Sequence, residues 1–382
     1  MSTMEQRTMK SGWELTTLGK VCTVDWGNTE LTKSAYVNGG KFLAVSAAGC
    51  DGRIEHKEHE KYTPVLSAIG AQCGRMFFPE EDFTAIKNTI TLTPNFGRCT
   101  GRFLYQLLTH VDLPKRGTAQ PFISKGDIQS FQIPLPPLAE QQRIVAILDE
   151  AFEGIATARK HAEQNLQNAK ALFESHLEAV FSQKGEGWVE RSLDEIALNF
   201  GRGKSKHRPR NDPKLYGGIY PFIQTGDIRN SDHFITEYTQ TYSEAGLAQS
   251  KLWPMGTICI TIAANIAETA ILGFDACFPD SVIGIVANPD FATVGFIEYL
   301  LQSFKGRIQA LGKGSAQANI NLGTFEHERF PFPPIFEQNK IVSQLDALRD
   351  ETNRLCDIYS QKIAALDALK KSLLHQAFSG EL

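Results

Sequence analysis

The stretch Pro134–Val145, with the sequence PLPPLAEQQRIV, returns at Pro331–Val342 as PFPPIFEQNKIV. The offset between these two proline-rich joints is 197 positions (331 minus 134). Two further pairs keep the same offset, namely GTAQ at 117–120 with GSAQ at 314–317, and Phe181-Ser182 with Phe378-Ser379. A gap-free register of this length indicates an internal repeat, so the chain contains two copies of one unit.

The two copies also begin alike, but their middles differ. Gly12–Leu18 (GWELTTL) resembles Gly187–Leu193 (GWVERSL) at an offset of 175 (187 minus 12), whereas the segments that follow match only loosely. Like ends around unlike middles indicate one scaffold that carries two different contents. Each middle has short apolar runs separated by glycine and proline, which is typical of a mixed α/β domain with short strands.

A long helix is predicted after each joint. Residues 139–182 and 336–379 contain no proline, and their only glycine is Gly154. A proline pair just ahead of such a segment is typical of a helix start. Apolar or small residues then recur at alternating steps of four and three, a heptad pattern that predicts a left-handed coiled coil. The residues predicted to form the helix interface are Ile144, Leu148, Ile155 and Leu172 in the first copy, and Ile341, Leu345, Leu348, Leu355, Leu366 and Leu369 in the second.

These patterns predict an α+β fold with four segments. Two mixed α/β domains, residues 1–135 and 184–332, alternate with two helical regions, residues 136–183 and 333–382. Two similar heptad seams in one chain favour pairing with each other as an antiparallel coiled coil, which gives the chain an internal pseudo-twofold repeat. The alternative is that each helix only covers its own domain. The 382 residues, 42% of them hydrophobic, suffice for two cores of ordinary size.

Several classes of protein are disfavoured by composition and motifs. No run approaches the roughly 18 apolar residues of a membrane span, and the N-terminus lacks the apolar segment of a signal peptide, so a cytoplasmic protein away from membranes is expected. Seven cysteines form no CxxC pair, which favours buried reduced thiols over a metal site. The sequence has no Walker phosphate loop. NPDF at 288–291 resembles the loop with which amino-methyltransferases hold a flipped base, but a turn after a strand is the favoured interpretation.

The repeated joint, followed by a long helix that ends near FSGEL at 378–382, resembles the specificity subunit of type I restriction-modification systems over the whole chain. The resemblance implies two target recognition domains, each reading one half of a split double-stranded DNA target, and two conserved helical regions that hold the halves apart. It also implies a non-catalytic chain. The expected partners are two methyltransferase subunits and motor-nuclease subunits, to which S-adenosylmethionine, ATP and magnesium would belong. Departures at Phe336 and Asn339-Lys340 affect only local helix contacts.

Basic residues are concentrated locally, although the net charge of the chain is −4. The segment 201–211 (GRGKSKHRPRN) contains no acid and carries Arg202, Lys204, Lys206, Arg208 and Arg210. Exposed cations of this kind suit DNA phosphates, and an arginine can also read a guanine edge. A solvated loop is the alternative interpretation.

Further cations stand just before the repeated GTAQ and GSAQ segments. Lys115 and Arg116 precede the first, and Lys313 precedes the second, so a phosphate contact there would be duplicated. Gln120 and Gln317 also recur, and a residue shared by two readers of different sequence is a poor candidate for specificity. The acidic balance of the chain favours a second hypothesis, a two-domain coiled-coil protein scaffold or decoy that does not bind DNA.

Overall fold

The structure, a computed structural model, describes residues 10–183, 185–263, 265–312 and 320–382, which fold into two compact units. Unit 1 contains the chain up to Gln164 together with Tyr359–Leu382, and unit 2 contains Asn165–Ile358. Both boundaries fall inside the long helices, so each unit contains a part of each helix. The predicted boundaries of the four segments are not tested by this division and stay a prediction.

Unit 1 is built from short strands and short helices. Its strands are β1 Glu14–Thr17, β2 Cys22–Trp26, β3 Phe42–Ser46, β4 Gly49–Ile54, β5 Val65–Ser67, β6 Met76–Phe77, β7 Phe83–Ala85, β8 Thr89–Pro94 and β9 Gln132–Leu135. Its helices are α1 Leu18–Val21, α2 Gly101–His110, α3 Lys125–Gln129 and the first part of α4, Leu138–Ser182. One sheet has the order β2-β8-β5-β6 and another the order β4-β3-β7. The antiparallel pair β1-β9 brings the start of the domain beside the proline-rich joint.

Unit 2 repeats this plan with larger sheets. Its strands are β10 Val189–Arg191, β11 Ala197–Arg202, β12 Tyr216–Phe222, β13 Phe234–Ile235, β14 Gln240–Tyr242, β15 Leu252–Trp253, β16 Ile258–Thr261, β17 Thr269–Leu272, β18 Ala276–Cys277, β19 Val282–Ala287 and β20 Phe330–Phe332. Its helices are α5 Thr225–Asn230, α6 Glu244–Ala248, α7 Val294–Ser303, α8 Lys305–Gly312, α9 Leu322–Glu326 and the first part of α10, Ile335–Ser379. The sheets have the orders β11-β19-β16-β17-β13, β14-β12-β18-β15 and β10-β20.

In each unit, parts of the two long helices run antiparallel and close the core. In unit 1, Leu148 from the early part of α4 belongs to the same apolar cluster as Phe378 from the end of α10. In unit 2, Leu177 from late α4 belongs to the same cluster as Leu345 from early α10. Arg159 and Asp367 form an ion pair between the helices of unit 1. The predicted antiparallel pairing is therefore confirmed, and each domain core is completed by both helices rather than by its own helix alone. None of the helices in the described ranges is long and apolar enough to cross a membrane.

The residues of the predicted seam differ in burial along the helices. Ile144, Leu148, Ile155, Ile341 and Leu345 are buried, and Leu348, Leu355 and Leu366 are half-buried. Leu172 and Leu369, however, are 52% and 47% exposed. The inward positions follow Ala162 at Leu166, Ala169, Phe173 and Leu177, at steps of 4, 3, 4 and 4. The mean step is 15 divided by 4, or 3.75, which exceeds the 3.5 of a heptad, so the predicted strict heptad does not continue through these residues.

A buried glutamine fixes each domain to the start of its long helix. In unit 1 the side-chain oxygen of Gln141 accepts a hydrogen bond from the backbone N of Thr100 at 3.1 Å. Its Nε2 donates to the carbonyl oxygens of Arg98 and Pro136, both at 2.9 Å. The Gln141 side chain therefore joins the N-cap of α2, the loop before it and the joint. Gln141 is 0% exposed, so its amide depends on these backbone groups for its hydrogen bonds.

Gln338 makes the same set of bonds in unit 2. It accepts from the backbone N of Thr293 at 2.9 Å and donates to the carbonyl oxygens of Phe291 and Pro333, both at 2.9 Å. Gln338 is also 0% exposed. This set of three hydrogen bonds, which we call the glutamine clamp, therefore occurs at both joints. Its glutamine follows Glu140 in the first joint and Glu337 in the second.

A second contact lies eight residues, about two turns, further along each long helix. It uses an aspartate whose partners differ between the two units. Asp149 accepts from Arg102 Nη2 at 2.7 Å and from Gln106 Nε2 at 2.7 Å, and this pairing raises the pKa of Arg102. Asp346 accepts from the hydroxyl of Tyr299 at 2.6 Å. Burial, and then the bond to Asp346, raises the pKa of Tyr299, so the hydroxyl stays protonated and remains a donor.

Replacing Gln141 with Met should destabilise unit 1. Methionine keeps the length of the side chain, but the backbone N of Thr100 and two carbonyl groups lose their partner in a buried place. We expect the free energy of unfolding to fall by about 2 to 4 kcal/mol, because each such group costs roughly 1 to 3 kcal/mol. Urea denaturation followed by circular dichroism measures this change. The exposed neighbour Gln142 offers a matched control, since Gln142→Met should change stability by less than about 0.5 kcal/mol. Equal losses in the two variants would show that the clamp is not needed.

Candidate nucleic-acid interface

Three loops of unit 2 meet at one edge of the five-stranded sheet, namely the loop after β11, the loop between β16 and β17, and the turn between β18 and β19. The loop after β11 begins at Gly203, whose N donates to the carbonyl oxygen of Val282 at 2.9 Å. A Cβ atom on Gly203 would lie 2.3 Å from the carbonyl oxygen of Phe278, so only glycine fits this approach. The loop between β16 and β17 joins this edge, since the carbonyl oxygen of Ile262 accepts from the N of Ile320 at 3.3 Å. The three loops surround an open cleft of about 360 Å³.

The predicted arginines of the basic loop already have partners within the protein. Arg202 donates through Nε to the carbonyl oxygen of Asp280 at 2.7 Å. Arg210 Nη2 donates to both carboxylate oxygens of the same Asp280, each at 2.8 Å. Arg208 Nη1 donates to the carbonyl oxygens of Ser205 at 2.6 Å and His207 at 2.8 Å. Arg202 and Arg210 line the cleft, whereas Arg208 is folded back onto its own loop.

The two lysines of this loop differ from its arginines in having no partner within the described part of the protein. Within the described ranges, the side chains of Lys204 and Lys206 have no hydrogen-bond or ion-pair partner, and both residues are exposed. Lys251 lies close by, with its Nζ 3.5 Å from the centre of the Trp253 ring. Burial, and then the charge of Lys204, lowers the pKa of Lys251. A second cation near Lys204 adds to the positive potential there, which suits an anionic partner.

The basic loop is held in place rather than left free in solvent. The hydroxyl of Tyr216 donates to the carbonyl oxygen of Arg210 at 2.7 Å, and the backbone N of His207 donates to the Gln249 side chain at 3.1 Å. His207 Nε2 lies 2.9 Å from a carboxylate oxygen of Asp212. These contacts hold the backbone that presents Lys204 and Lys206, so less conformational entropy is lost when a ligand binds.

Unit 1 has the same backbone framework at the corresponding edge. The N of Gly27 donates to the carbonyl oxygen of Thr89 at 2.9 Å, and the N of Ile123 donates to that of Ala68 at 2.8 Å. A Cβ atom on Gly27 would lie 2.7 Å from the carbonyl oxygen of Ile86, which repeats the close approach at Gly203. The loops that meet in unit 2 therefore meet in unit 1 as well.

The cations predicted before GTAQ lie at this edge of unit 1. Arg116 closes a small hairpin, exchanging two backbone hydrogen bonds of 2.8 Å with Phe122, and its side chain pairs with Asp127. The side chain of Lys115 lies against Gly74 in the β5–β6 loop and has no ion-pair partner among the described residues. Lys115 is thus the more available of the two. Lys313 lies outside the described residues, so its predicted phosphate contact stays a prediction.

The NPDF segment is a turn, as the favoured interpretation predicted. Asn288 follows β19, and its side-chain oxygen accepts from the backbone N of Asp290 at 3.1 Å. In unit 1, Asn95 follows β8 and accepts from the backbone N of Gly97 at 3.2 Å. The carbonyl groups of Arg98 and Phe291, which accept hydrogen bonds from Gln141 and Gln338, lie at the ends of these two turns. The turns are therefore part of the attachment between each domain and its long helix.

The sequence did not predict the role of Asp280 in the cleft, since Pro279-Asp280 suggests only the start of a metal-dependent nuclease motif, which is rejected because no Glu-x-Lys follows at a suitable distance. Asp280 lies in the turn between β18 and β19, 78 residues from Arg202 and 70 residues from Arg210. The corresponding turn of unit 1, before β8, carries Lys87, so the two units present opposite charges at the same place. Asn321, which also lines the cleft, was missed for a simpler reason, since a lone asparagine after a loop gives no sequence signal.

The sequence of the chain matches a known protein family in two places. A family model described as the type I restriction modification DNA specificity domain matches residues 10–167 and again residues 185–364. The chain belongs to this family. The two separate matches agree with the internal repeat. Each matched range contains one of the two edges at which loops meet.

Relatives and solved structures agree with this assignment. The putative type I restriction enzyme MjaX specificity subunit of Methanocaldococcus jannaschii is 25% identical, over 77% of this chain and 71% of its own length. The type I restriction enzyme EcoDI specificity subunit of Escherichia coli is 23% identical, over 97% of this chain and 88% of its own length.

Two solved structures confirm the predicted fold class of this family member. A chain from a study of complex assembly and conformational transition of the type I R-M system has a TM-score of 0.79 at 21% identity, covering 98% of this chain and 100% of that one. The HsdS subunit from Thermoanaerobacter tengcongensis has a TM-score of 0.63 at 20% identity, with 99% of each chain covered.

Changing Lys204 and Lys206 together to Ala should weaken the binding of DNA by this chain in complex with the methyltransferase subunits that the resemblance implies. Each lysine that neutralises a phosphate contributes about one to the slope of log K against log salt, so we expect the slope to fall by about two. Fluorescence anisotropy titrations at several salt concentrations measure it. Arg329→Ala is the matched control, because Arg329 is paired with the carboxylate of Glu195 and lies outside the residues that line the cleft, so its loss should leave the slope nearly unchanged. A lysine variant with the wild-type slope would place this loop away from the phosphates.

Proposed function

We propose that this chain is the DNA sequence-recognition subunit of a type I restriction-modification enzyme. Each domain reads one half of a bipartite site in double-stranded DNA, and the two long helices set the spacer and dock two methyltransferase subunits. Motor-nuclease subunits join through that complex. The chain itself is not an enzyme and uses no cofactor of its own. S-adenosylmethionine, ATP and magnesium act on the partner subunits.

The observation that carries this proposal is that the two units share a backbone framework but have different side chains at the edge where their loops meet. The backbone bonds of Gly27 and Gly203 are equivalent, yet Lys87 stands in unit 1 where Asp280 stands in unit 2. Direct reading of bases depends on side chains at such an edge, while backbone contacts fix position. Two readers of different half-sites need this combination.

The net charge of −4 favours the second hypothesis, a scaffold that does not bind DNA. The charge is unevenly distributed, however, because Lys204 and Lys206 are exposed on the loop that also carries Arg202 and Arg210, and Lys204 lies near Lys251. A local positive potential of this kind is sufficient for a DNA contact in a complex whose other subunits also bind the duplex.

Exchange of one domain tests the proposed function. Residues 13–133 lie between the matched starts and the joint, and replacing them with the same segment of a relative keeps Gln141, its bond to Pro136 and both helices. The relative's segment then has to supply the backbone groups that Thr100 and Arg98 offer to Gln141 here. We expect the methylated DNA motif to change in one half and to stay the same in the other half, because each edge of loops is built within one unit. Sequencing of methylated adenines in DNA treated with the reconstituted methylase gives the motif. A change in both halves would contradict independent reading, and methylation without any motif would favour the scaffold hypothesis.

The docking of two copies of one partner requires a surface that occurs twice. Leu172 and Leu369 are identical residues at equivalent helix positions, and both are exposed instead of buried. Ser175 and Ser372 stand three residues further on the same helix face and are exposed too. An exposed leucine beside a serine, present once in each unit, is suited to bind two identical methyltransferase subunits.

Leu172→Glu and Leu369→Glu should each remove one methyltransferase subunit from the complex. A buried carboxylate without a partner is costly in an interface, so we expect complexes with one methyltransferase subunit for each single variant and none for the double variant. Mass photometry of the purified complexes counts the subunits. Ile358→Glu is the matched control, since Ile358 is 45% exposed on the same helix as Leu369 but has His161 as its counterpart. Full occupancy in the double variant would place the docking surface elsewhere.

A further inference from the structure

Asp280 is an acid at the centre of a cluster of cations. Its backbone oxygen accepts from Arg202, and its carboxylate accepts from Arg210 through both oxygens. A carboxylate there repels phosphate and neutralises the very arginine that would bind it. The cleft of unit 2 is therefore poorly suited to a phosphate alone and better suited to a ligand that offers both acceptors and donors.

The position of Asp280 is fixed by the strands on either side of it. Phe278 is 0% exposed and stacks on the ring of Trp253 with centroids 5.0 Å apart. Val282 is 0% exposed, and its N donates to the carbonyl oxygen of Pro279 at 3.1 Å, which closes the turn. The carboxylate is therefore held on a rigid base, and it positions Arg210, which belongs to the loop.

The ion pair is accessible and contributes little to stability. The side chains of Arg210 and Asp280 are 50% and 34% exposed. An exposed pair of this kind contributes little to the free energy of folding, so a role in stability does not explain it. Within the described part of the chain, Arg210 Nη1 and Nε make no hydrogen bond. These donors remain open to a ligand in the cleft.

We infer that Arg210 and Asp280 together read one G·C base pair, an inference that rests on the proposed function. Arg210 donates to the O6 and N7 acceptors of guanine, and Asp280 accepts from the N4 amino group of the paired cytosine. In the major groove these atoms stand side by side on one base pair, which matches an arginine and a carboxylate that already touch. Asp280 is then a specificity-determining residue as well as the group that positions Arg210.

The other unit fits this assignment. The turn that carries Asp280 in unit 2 carries Lys87 in unit 1, where the side chain is exposed. A lysine can donate to guanine or to phosphate, but it cannot accept from cytosine. Residues that define two different half-sites have to differ between the units, and this position does.

The test uses the complete methylase assembled with its methyltransferase subunits and a DNA library randomised in the half-site of the second domain. Asp280→Ala and Arg210→Ala should each relax the methylated motif at the same single base pair, where wild type requires G·C. Discrimination at that pair should fall by about 5- to 150-fold, the range expected for one bidentate contact. The double variant should lose little more than either single variant, because the two residues act on one base pair.

The matched control is the pair Glu195 and Arg329, which is similarly exposed in unit 2 and lies outside the residues that line the cleft. Glu195→Ala should leave the motif unchanged. Asp280→Leu stays close to aspartate in shape, removes both acceptor oxygens and should relax the same base pair, so it replaces the Ala variant if that variant does not assemble.

Three results would overturn the inference. These are an unchanged motif in variants that assemble and methylate, relaxation at different base pairs in the two variants, and an equal gain in affinity for every sequence after Asp280→Ala. The last result would show that Asp280 only tunes the charge of the cleft. Failure of the proposed function looks different, since then the wild-type complex itself would show no base preference in this half-site.

Discussion

A buried amide at the start of each long helix determines how the domain is attached. The Gln141 side chain completes the hydrogen bonds of three backbone groups that belong to different segments, and Gln338 does the same in unit 2. Since a buried polar group without a partner is costly, only one placement of domain against helix satisfies all of them. The orientation of the loop edge relative to the helix follows from this placement. The second contact is free to vary, as the different partners of Asp149 and Asp346 show.

The sequence predicted the parts of the fold that depend on local signals. The long helices were expected at 139–182 and 336–379, and they occupy Leu138–Ser182 and Ile335–Ser379, because proline at the start and its absence afterwards are local constraints. The seam failed at Leu172 and Leu369 for a physical reason. A heptad keeps its stripe on one face only if the helix is underwound, and the inward residues here follow a spacing nearer that of an ordinary helix. Each leucine thereby moves away from the core, although its residue type is apolar.

The candidate site was only half visible in the sequence. The cluster of cations at 201–211 is a property of composition and was found, but which cations are available depends on partners that are distant along the chain. Asp280 engages Arg202 and Arg210, and no pattern around residue 210 reveals this. Gln141 escaped attention because a glutamine in a helix is usually a solvated residue. Its role comes from the carbonyl groups around it, which the sequence does not display.

A cluster of positive charge and a fixed acid serve different purposes at one edge. In the proposed function, Lys204 and Lys206 attract any duplex, irrespective of its sequence, and this attraction weakens with salt. An acid beside Arg210 reduces that general attraction and favours particular partners over others, as negative elements do in specific interfaces. The small net charge of the chain is consistent with a reader whose general affinity for DNA is supplied in part by other subunits.

The exchange of helix parts between the units also determines when each can be completed during synthesis. Unit 2 is a continuous segment, Asn165–Ile358, whereas unit 1 needs Leu374, Ala377 and Phe378 to close its core. A ribosome delivers these residues after the whole of unit 2 has been made. The domain that is translated first is therefore the last to finish folding, and for that interval it exposes the apolar face of early α4. Long-range closure of this kind is slow, so the nascent first domain is the part of the molecule most in need of a chaperone.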